Sequence, residues 1–252
     1  MKSGFARADR GLVMSALRHA LVAAAFVWLF ASGLQALLLL SPSYPLKSIL
    51  LFVVGALLLA PLLAGHPSGT FGAANRVTLL RALIVSLLGG FLGEEVSDAG
   101  AILIVGSGLG ALALDGVDGY LARRNGLASA FGARFDMETD AALILLFSLL
   151  AWQMDKAGAW IVLAGLWRYL FIAAGVVLPW MRGELPASKR RQTVCVIQVV
   201  ALLAVLLPVW SSPWTDAVAA AALSALTASF LIDVRWLARH RAAFDPTVER
   251  TS

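Results

Sequence analysis

Four aspartates in the stretch DGVDGYLARRNGLASAFGARFDMETD (residues 115–140) have the residue type and the spacing of a metal site. Asp115 and Asp118 are three positions apart, and Asp136 and Asp140 are four apart. On helices each pair projects from one face, so two adjacent helices could bring all four carboxylates together. Uncompensated carboxylates repel, whereas Mg²⁺ and Mn²⁺ take such oxygen ligands. We therefore predict two divalent cations, the usual clamp for displacement at phosphorus.

Glycine and arginine residues lie beside these acids. Gly119 and Gly132 have no side chain, so a ligand or another helix can approach the backbone closely. Arg123, one helical turn after Gly119, has the planar fork of donors that binds a phosphate through two hydrogen bonds. These neighbours favour a phosphate-bearing ligand. The ordinary alternative is that acids and arginines in a loop are solvated, and membrane topology alone would explain Arg123.

Further polar residues occur at the edges of apolar segments or within them. The segment NRVTLLR places Asn75, Thr78 and Arg81 at every third position, which gives a polar stripe on a helix. Arg168 lies deep within an apolar run, where an unpaired cation is costly, so we expect it to face the interior of a helix bundle. Another apolar run is preceded by three consecutive basic residues, Lys189, Arg190 and Arg191.

The composition places the chain in a membrane. Of its 252 residues, 60% are hydrophobic and 14% are charged, and the mean hydropathy is +0.84. Soluble domains are about half apolar and a quarter charged. The single cysteine, Cys195, excludes a disulfide framework and a thiolate cluster within one chain. The GSGLG segment (Gly106 to Gly110) lies within an apolar run, so we interpret it as a site of close helix packing.

Eight apolar runs are long enough to be candidate membrane-spanning helices. Backbone groups within lipid must be satisfied internally, so the predicted fold class is an all-α integral membrane protein. The first run is longer than the core of a usual cleaved signal, which favours an uncleaved anchor. The runs are residues 19–41, 47–65, 77–95, 99–115, 137–154, 158–181, 192–211 and 215–237.

The distribution of charge predicts the orientation. Basic residues fill the two tails and every second connector, whereas the other connectors hold only Lys47 and Lys156 as cations. Positive segments stay on the cytoplasmic side, so we expect both termini and the aspartates at the cytoplasmic face of the inner membrane. The net charge of +5 is therefore interpreted as a topology signal together with contact to anionic headgroups, and not as nucleic-acid binding.

The signature stretch resembles the CDP-alcohol phosphotransferases, also called CDP-alcohol phosphatidyltransferases. It fits their pattern DxxDGxxARx₈GxxxDxxxD at every fixed position, and NxxTxxR at 75–81 resembles the opening of the family's first core helix. The resemblance covers about residues 75–238 and implies a six-helix catalytic core. Residues 19–65 would then be two additional helices, with cytoplasmic tails at 1–18 and 239–252. The fixed positions are Asp115, Asp118, Gly119, Ala122, Arg123, Gly132, Asp136 and Asp140.

The resemblance implies transfer of a phosphate-linked group from a CDP-alcohol to a hydroxyl acceptor, with release of CMP. Asp115, Asp118, Asp136 and Asp140 would hold two Mg²⁺ or Mn²⁺ ions, and Asp140 would also act as the general base. A lipid bilayer and a homodimer are further implied partners. Residues implied to bind the CDP-alcohol are Gly119, Ala122, Arg123, Ser129, Gly132, Thr78 and Arg81. Residues implied to face a phosphorylated acceptor are Arg168, Lys189, Arg190 and Arg191.

The sequence also bears on the substrates. The NxxTxxR segment favours the bacterial type that uses CDP-diacylglycerol, although MET between the last aspartates departs from the proline and small residues of many relatives. Glycerol 3-phosphate is the first expected acceptor, with inositol phosphate, serine and other alcohols open. A transporter or channel is the alternative from another class, but it predicts charges through the membrane midplane. An inactive relative that serves as a scaffold is the third alternative.

Overall fold

The described part of the protein is built from α-helices. The computed structural model describes residues 10–60, 73–124, 130–183 and 185–240, and no strand occurs among them. The prediction of an all-α protein is confirmed. The helices are α1 (Arg10–Leu38), α2 (Tyr44–Leu59), α3 (Ala73–Gly89), α4 (Asp98–Arg124), α5 (Ala130–Gln153), α6 (Leu163–Val177), α7 (Lys189–Leu206) and α8 (Trp214–Arg239).

Several helices have the length and the apolarity of membrane spans. Within the described residues four segments meet both requirements, and α2 is a shorter apolar helix of 16 residues. Helices α3, α5 and α7 carry charged residues near their start, which shortens their apolar part. An integral membrane protein is therefore confirmed at the level of the fold class. The four segments are Gly11–Leu38, Asp98–Gly116, Ala159–Val177 and Trp214–Arg239.

Two helices extend beyond the apolar runs that predict them, and one apolar run is divided. Helix α4 continues to Arg124 and α5 already begins at Ala130, so both extend beyond the predicted runs 99–115 and 137–154. Hydropathy detects only the apolar part, whereas helical hydrogen bonding continues past it. The predicted run 158–181 is divided, because Pro179 cannot continue α6 and Leu178 before it adopts an extended conformation.

The chain divides into two compact units, residues 1–146 and 147–252. In the first unit, α1 and α2 pack against α3 through a core of Ala23, Val27, Phe52 and Leu83. Gly90, directly after α3, permits a close approach of α2, because a Cβ atom there would lie 2.7 Å from the buried ring of Tyr44. The two added helices are thus docked on α3.

A polar contact joins α2 to the connector between α3 and α4. Lys47 forms an ion pair with the buried Glu94 and donates a hydrogen bond of 2.8 Å to the carbonyl of Leu92. The backbone N–H and the hydroxyl of Ser41 also donate to the Glu94 carboxylate, at 2.8 and 2.6 Å. Burial alone would raise the pKa of Glu94, but the hydrogen bonds from Lys47 and Ser41 outweigh it and lower the pKa.

The second unit is held together by aromatic packing and by its connectors. The ring of Trp167 in α6 stacks on Phe230 in α8 with centroids 5.7 Å apart, and its indole N–H donates to Thr227 at 3.0 Å. Lys156 donates to the carbonyls of Leu207 and Trp210 beyond the end of α7, at 3.0 and 2.6 Å. These contacts order α6, α7 and α8 within the unit.

Gly106 and Gly110 of α4 lie in open space among the described residues, which differs from the prediction of close helix packing. A Cβ atom added at Gly106 or Gly110 would have no described atom within 4 Å. The expectation that GSGLG mediates close helix packing is therefore wrong for the part of the chain that the structure describes. Close packing occurs instead at Gly89 and Gly90, where α2 lies against the end of α3.

Candidate active site

Three helices of the first unit bring one arginine and three aspartates together. Arg81 comes from α3, Asp115 from α4, and Asp136 and Asp140 from α5. The extension of α5 back to Ala130 makes Asp136 helical, so it lies one turn from Asp140 on the same face. Hydropathy alone would have placed Asp136 in a loop.

The guanidinium of Arg81 lies at the centre of this group. One terminal nitrogen, Nη1, is 3.0 Å from Asp115 Oδ1 and also forms an ion pair with Asp136. The other, Nη2, pairs with Asp140. The Arg81 side chain is only 1% exposed. A guanidinium stays charged when it is buried, so its burial is costly unless carboxylates compensate the charge. The polar stripe of α3 is therefore buried, since Asn75 and Thr78 are buried as well, and its last residue, Arg81, contacts the acids.

The aspartate cluster (Asp115, Asp136 and Asp140) has the geometry of a cation site. One carboxylate oxygen from each residue lies within 4.8 Å of the others. The three side chains are 32–38% exposed, so solvent and ions reach them although Arg81 beneath them is buried. One guanidinium cannot neutralise three carboxylates, and the remaining negative charge suits a hard divalent cation with oxygen ligands. The donor set thus fits Mg²⁺ or Mn²⁺.

The other residues predicted to bind the CDP-alcohol are placed in part. Thr78 lies one turn before Arg81 on the same buried stripe, and Gly132 lies in α5, one turn before Asp136. The backbone of Asp118, Gly119, Ala122 and Arg123 continues α4 beyond Asp115. The side chains of these four residues, and all of Ser129, lie outside the described residues. Their roles stay predictions.

The predicted acceptor residues belong to the second unit. Arg190 Nη2 is 2.5 Å from Asp233 Oδ1, and Arg190 also donates to the carbonyl of Ser229 at 2.7 Å. Arg191 Nη1 is 3.4 Å from the same Asp233 oxygen, so the two arginines (the arginine pair) share one acid. Lys189 is exposed at the start of α7, and Arg168 is half-buried in α6.

Sequence reasoning missed Asp233. It lies near the end of the last apolar run, 43 positions after Arg190. An acid embedded in FLIDVRWL is costly in lipid without a cation, and that cost was the available signal. The pairing shows that part of the predicted acceptor charge is already compensated within the protein.

Comparison with known families decides the identity of this fold. The sequence profile of the CDP-alcohol phosphatidyltransferases matches residues 71–232. The chain belongs to this family. The match extends from the start of α3 into α8 and leaves α1 and α2 outside it. No curated protein and no solved structure matches the chain.

Membership gives the coarse chemistry. Enzymes of this family are transferases that move phosphatidyl groups in phospholipid synthesis and use divalent metal ions. In this chain, α4 and α5 carry a cluster of three aspartates with the ligand chemistry that such ions need. The family also explains why the acids recur at fixed spacing on α4 and α5. The signature stretch and the aspartate cluster therefore coincide.

Proposed function

We propose that this protein is a phosphatidyltransferase of the bacterial type, which transfers the phosphatidyl group of CDP-diacylglycerol to a polar alcohol and releases CMP. The single observation that carries the proposal is the convergence of Asp115, Asp136 and Asp140 on Arg81 within the family's signature. The preferred acceptor is glycerol 3-phosphate. Reaction at the cytoplasmic face of the inner membrane is supported by the basic connectors on that side of the predicted topology.

The residues of the cluster divide the work of the reaction. Asp115, Asp136 and Asp140, with Asp118, would hold two divalent cations, which would neutralise charge on the diphosphate of the donor. Asp140 accepts the proton of the acceptor hydroxyl. The acceptor oxygen then forms a bond to the phosphorus of the phosphatidyl group, and the bond from that phosphorus to the CMP oxygen breaks. Asp140 is protonated at the end of this step, and it then releases the proton to solvent.

Arg81 acts as a positioning residue for these acids. Its buried fork contacts one oxygen of each described aspartate and so fixes how the three carboxylates face one another. Rigid placement of this kind lowers the cost of assembling a binding site. The family resemblance implies that Arg81 belongs to the site that binds the CDP-alcohol, and its contacts with the acids support a place directly beneath that site.

The proposal includes the organisation of the chain. The catalytic core spans residues 75–238, and the tails 1–18 and 239–252 lie in the cytoplasm. Residues 19–65 supply the two added helices, whose docking through Tyr44 and Lys47 supports a packing role. The chain acts as a homodimer, as is usual in the family.

The test is release of CMP by the purified protein in mixed micelles that contain CDP-diacylglycerol. Candidate acceptors are added one at a time, with Mg²⁺ or Mn²⁺, and parallel samples contain a chelator. We expect metal-dependent CMP release with glycerol 3-phosphate. Release with a different alcohol would replace the acceptor and keep the reaction class. Absence of release with every acceptor would overturn the proposal and favour a scaffold, and ion flux in proteoliposomes would favour a channel.

A further inference from the structure

A cleft of about 270 Å³ lies between α1 and α3, away from the aspartates. Arg18 of α1 and Arg76 of α3 are the first lining residue on each helix. Apolar side chains line its length, with Val22 and Phe26 on α1 and Leu80 and Leu83 on α3. The cleft is therefore cationic at one end and apolar along the remainder.

The two helices present this pattern in the same order. Consecutive spanning helices alternate in direction, so α1 and α3 run the same way on either side of the α2 crossing. In both, the arginine comes first and the apolar residues follow, over eight positions from Arg18 to Phe26. At 1.5 Å per residue this is about 12 Å along the helix axis. The arginines thus lie at headgroup depth and the apolar residues at the depth of the acyl chains.

The charge of the two arginines is available to a ligand. Arg18 and Arg76 are both exposed, and neither forms a salt bridge with any residue that the structure describes. A guanidinium binds a phosphate through two parallel hydrogen bonds. Arginines near the membrane surface attract anionic lipids.

The cleft is separate from the catalytic cluster. Arg81 points toward the aspartates and is buried, whereas Arg76, five positions earlier, is exposed on another face of α3. One wall of the cleft is α1, which lies outside the residues that match the family. The cleft therefore arises from the added helices of this chain.

We propose that this cleft binds one anionic phospholipid of the bilayer. The lipid phosphate lies between Arg18 and Arg76, and one acyl chain lies along Val22, Phe26, Leu80 and Leu83. Shape and charge together select this ligand, because a zwitterionic lipid brings its own cation to the arginines and a soluble phosphate leaves the apolar length unfilled. The site does not depend on phosphatidyl transfer.

The experiment is native mass spectrometry of the purified full-length protein in detergent, with dioleoyl phosphatidylglycerol or dioleoyl phosphatidylcholine added. The double variant Arg18→Gln/Arg76→Gln should lower the affinity for phosphatidylglycerol about 30-fold, the usual effect of two arginines at an anionic surface. The control Arg239→Gln, which removes another exposed arginine at a helix end, should leave it unchanged. Equal loss in the control, or no loss in the double variant, would overturn the proposal.

A second variant separates the lipid from a free phosphate. Val22→Trp fills the apolar part of the cleft and leaves both arginines in place, so it should also lower phosphatidylglycerol binding. In the wild type, inorganic phosphate should displace phosphatidylglycerol only weakly. Efficient displacement by inorganic phosphate, together with no effect of Val22→Trp, would show an anion site without a lipid. Equal retention of phosphatidylcholine and phosphatidylglycerol would show apolar contact alone and would equally contradict the proposal. These readouts do not need turnover, so they are independent of the CMP assay.

Discussion

Two charged clusters of this protein are built with opposite charge balance. In the first unit, one buried guanidinium (Arg81) meets three carboxylates that are about one-third exposed. In the second, Arg190 and Arg191, each about 30% exposed, meet a single carboxylate, Asp233, that is 9% exposed. The first cluster presents excess oxygen ligands to solvent, and the second presents excess N–H donors. The first therefore suits a cation, and the second suits an anion.

A further ion pair, by contrast, has equal numbers of positive and negative charges. Lys47 and Glu94 are matched one to one, and the remaining lone pairs of Glu94 accept hydrogen bonds from Ser41. Nothing is left over for a ligand, and the pair joins α2 to the connector after α3. Excess charge beside a buried counter-ion distinguishes the candidate functional clusters from this structural one. The proposed roles follow from that difference.

The largest expected effect comes from Asp140→Asn, which keeps the shape of the side chain but removes the base. We expect the rate of CMP release to fall about 10²–10⁴-fold, the usual contribution of a general base. The measurement is the initial rate with saturating CDP-diacylglycerol and Mn²⁺. Asp98→Asn, an exposed aspartate at the start of α4, is the matched control and should keep normal activity. Near-normal turnover of Asp140→Asn would remove the base from the mechanism.

Removal of Arg81 should have the next largest effect. Arg81→Met leaves the three carboxylates facing one another, and we expect a loss of about 3 kcal/mol of stability in the metal-free protein, because breaking buried ion pairs costs this much while the partly exposed acids recover some hydration. Thermal unfolding in chelator measures this loss. Addition of Mn²⁺ should stabilise Arg81→Met more than the wild type. Equal unfolding temperatures in chelator would show that Arg81 does not compensate the acids.

The arginine pair allows a test of the anion side of the comparison. Arg191→Gln removes the one positive charge by which the two arginines exceed Asp233. The KM for glycerol 3-phosphate should therefore rise about tenfold while kcat changes little, as expected for loss of one charge-assisted hydrogen bond. The exposed Arg239→Gln is the control. A change in kcat with an unaltered KM would instead assign Arg191 to folding or to the reaction step.

The ion pair between Lys47 and Glu94 should contribute a small amount of stability that depends on pH. The pKa of Glu94 lies below its ordinary value of 4.5 in the folded protein, so its contribution to stability is present above that value and is lost as the pH falls through the folded pKa. Lys47→Met removes one cause of this shift. The variant should be less stable by about 1 kcal/mol at neutral pH.

The pH profile of unfolding provides the check. The difference between Lys47→Met and the wild type should shrink as the pH falls below about 4.5, where the Glu94 carboxylate becomes protonated in the unfolded chain. Lys156→Met is the control, since Lys156 donates to two carbonyls and its loss should not depend on pH in this range. A constant difference down to low pH would contradict the ion-pair account.

Most of the fold could be predicted from the sequence, because lipid demands long apolar helices. All eight runs contain a helix, and the composition was sufficient to assign the class. The helix ends could not be predicted from hydropathy, since residues 116–124 and 130–136 contain charged residues that end the apolar runs, yet they continue α4 and α5. The failure at Gly106 and Gly110 has a related cause. A small-residue motif allows close approach, but only the packing of other helices decides whether a partner is present.

The candidate site could be predicted in kind but not in its contacts. Spacing alone placed Asp136 and Asp140 on one face and indicated a cation as their partner. It did not reveal that Arg81 supplies a cation from 55 and 59 positions away, because sequence separation carries no distance information across a bundle. The same limit hid Asp233. Arg81 and Asp233 are both charged residues within apolar helices. The sequence therefore shows that each needs a partner of opposite charge, but it does not show which residue that partner is.

The most direct test of the central claim is Mn²⁺ binding followed by electron paramagnetic resonance, in which bound Mn²⁺ leaves the signal of the free ion. Three purified proteins are compared: the wild type, Asp136→Asn in the aspartate cluster, and Asp233→Asn, which changes the acid that the arginine pair shares. We predict that the wild type and Asp233→Asn bind Mn²⁺ equally, and that Asp136→Asn binds it much more weakly. Equal binding by all three proteins, or binding by none, would contradict the assignment of the aspartate cluster as the metal site.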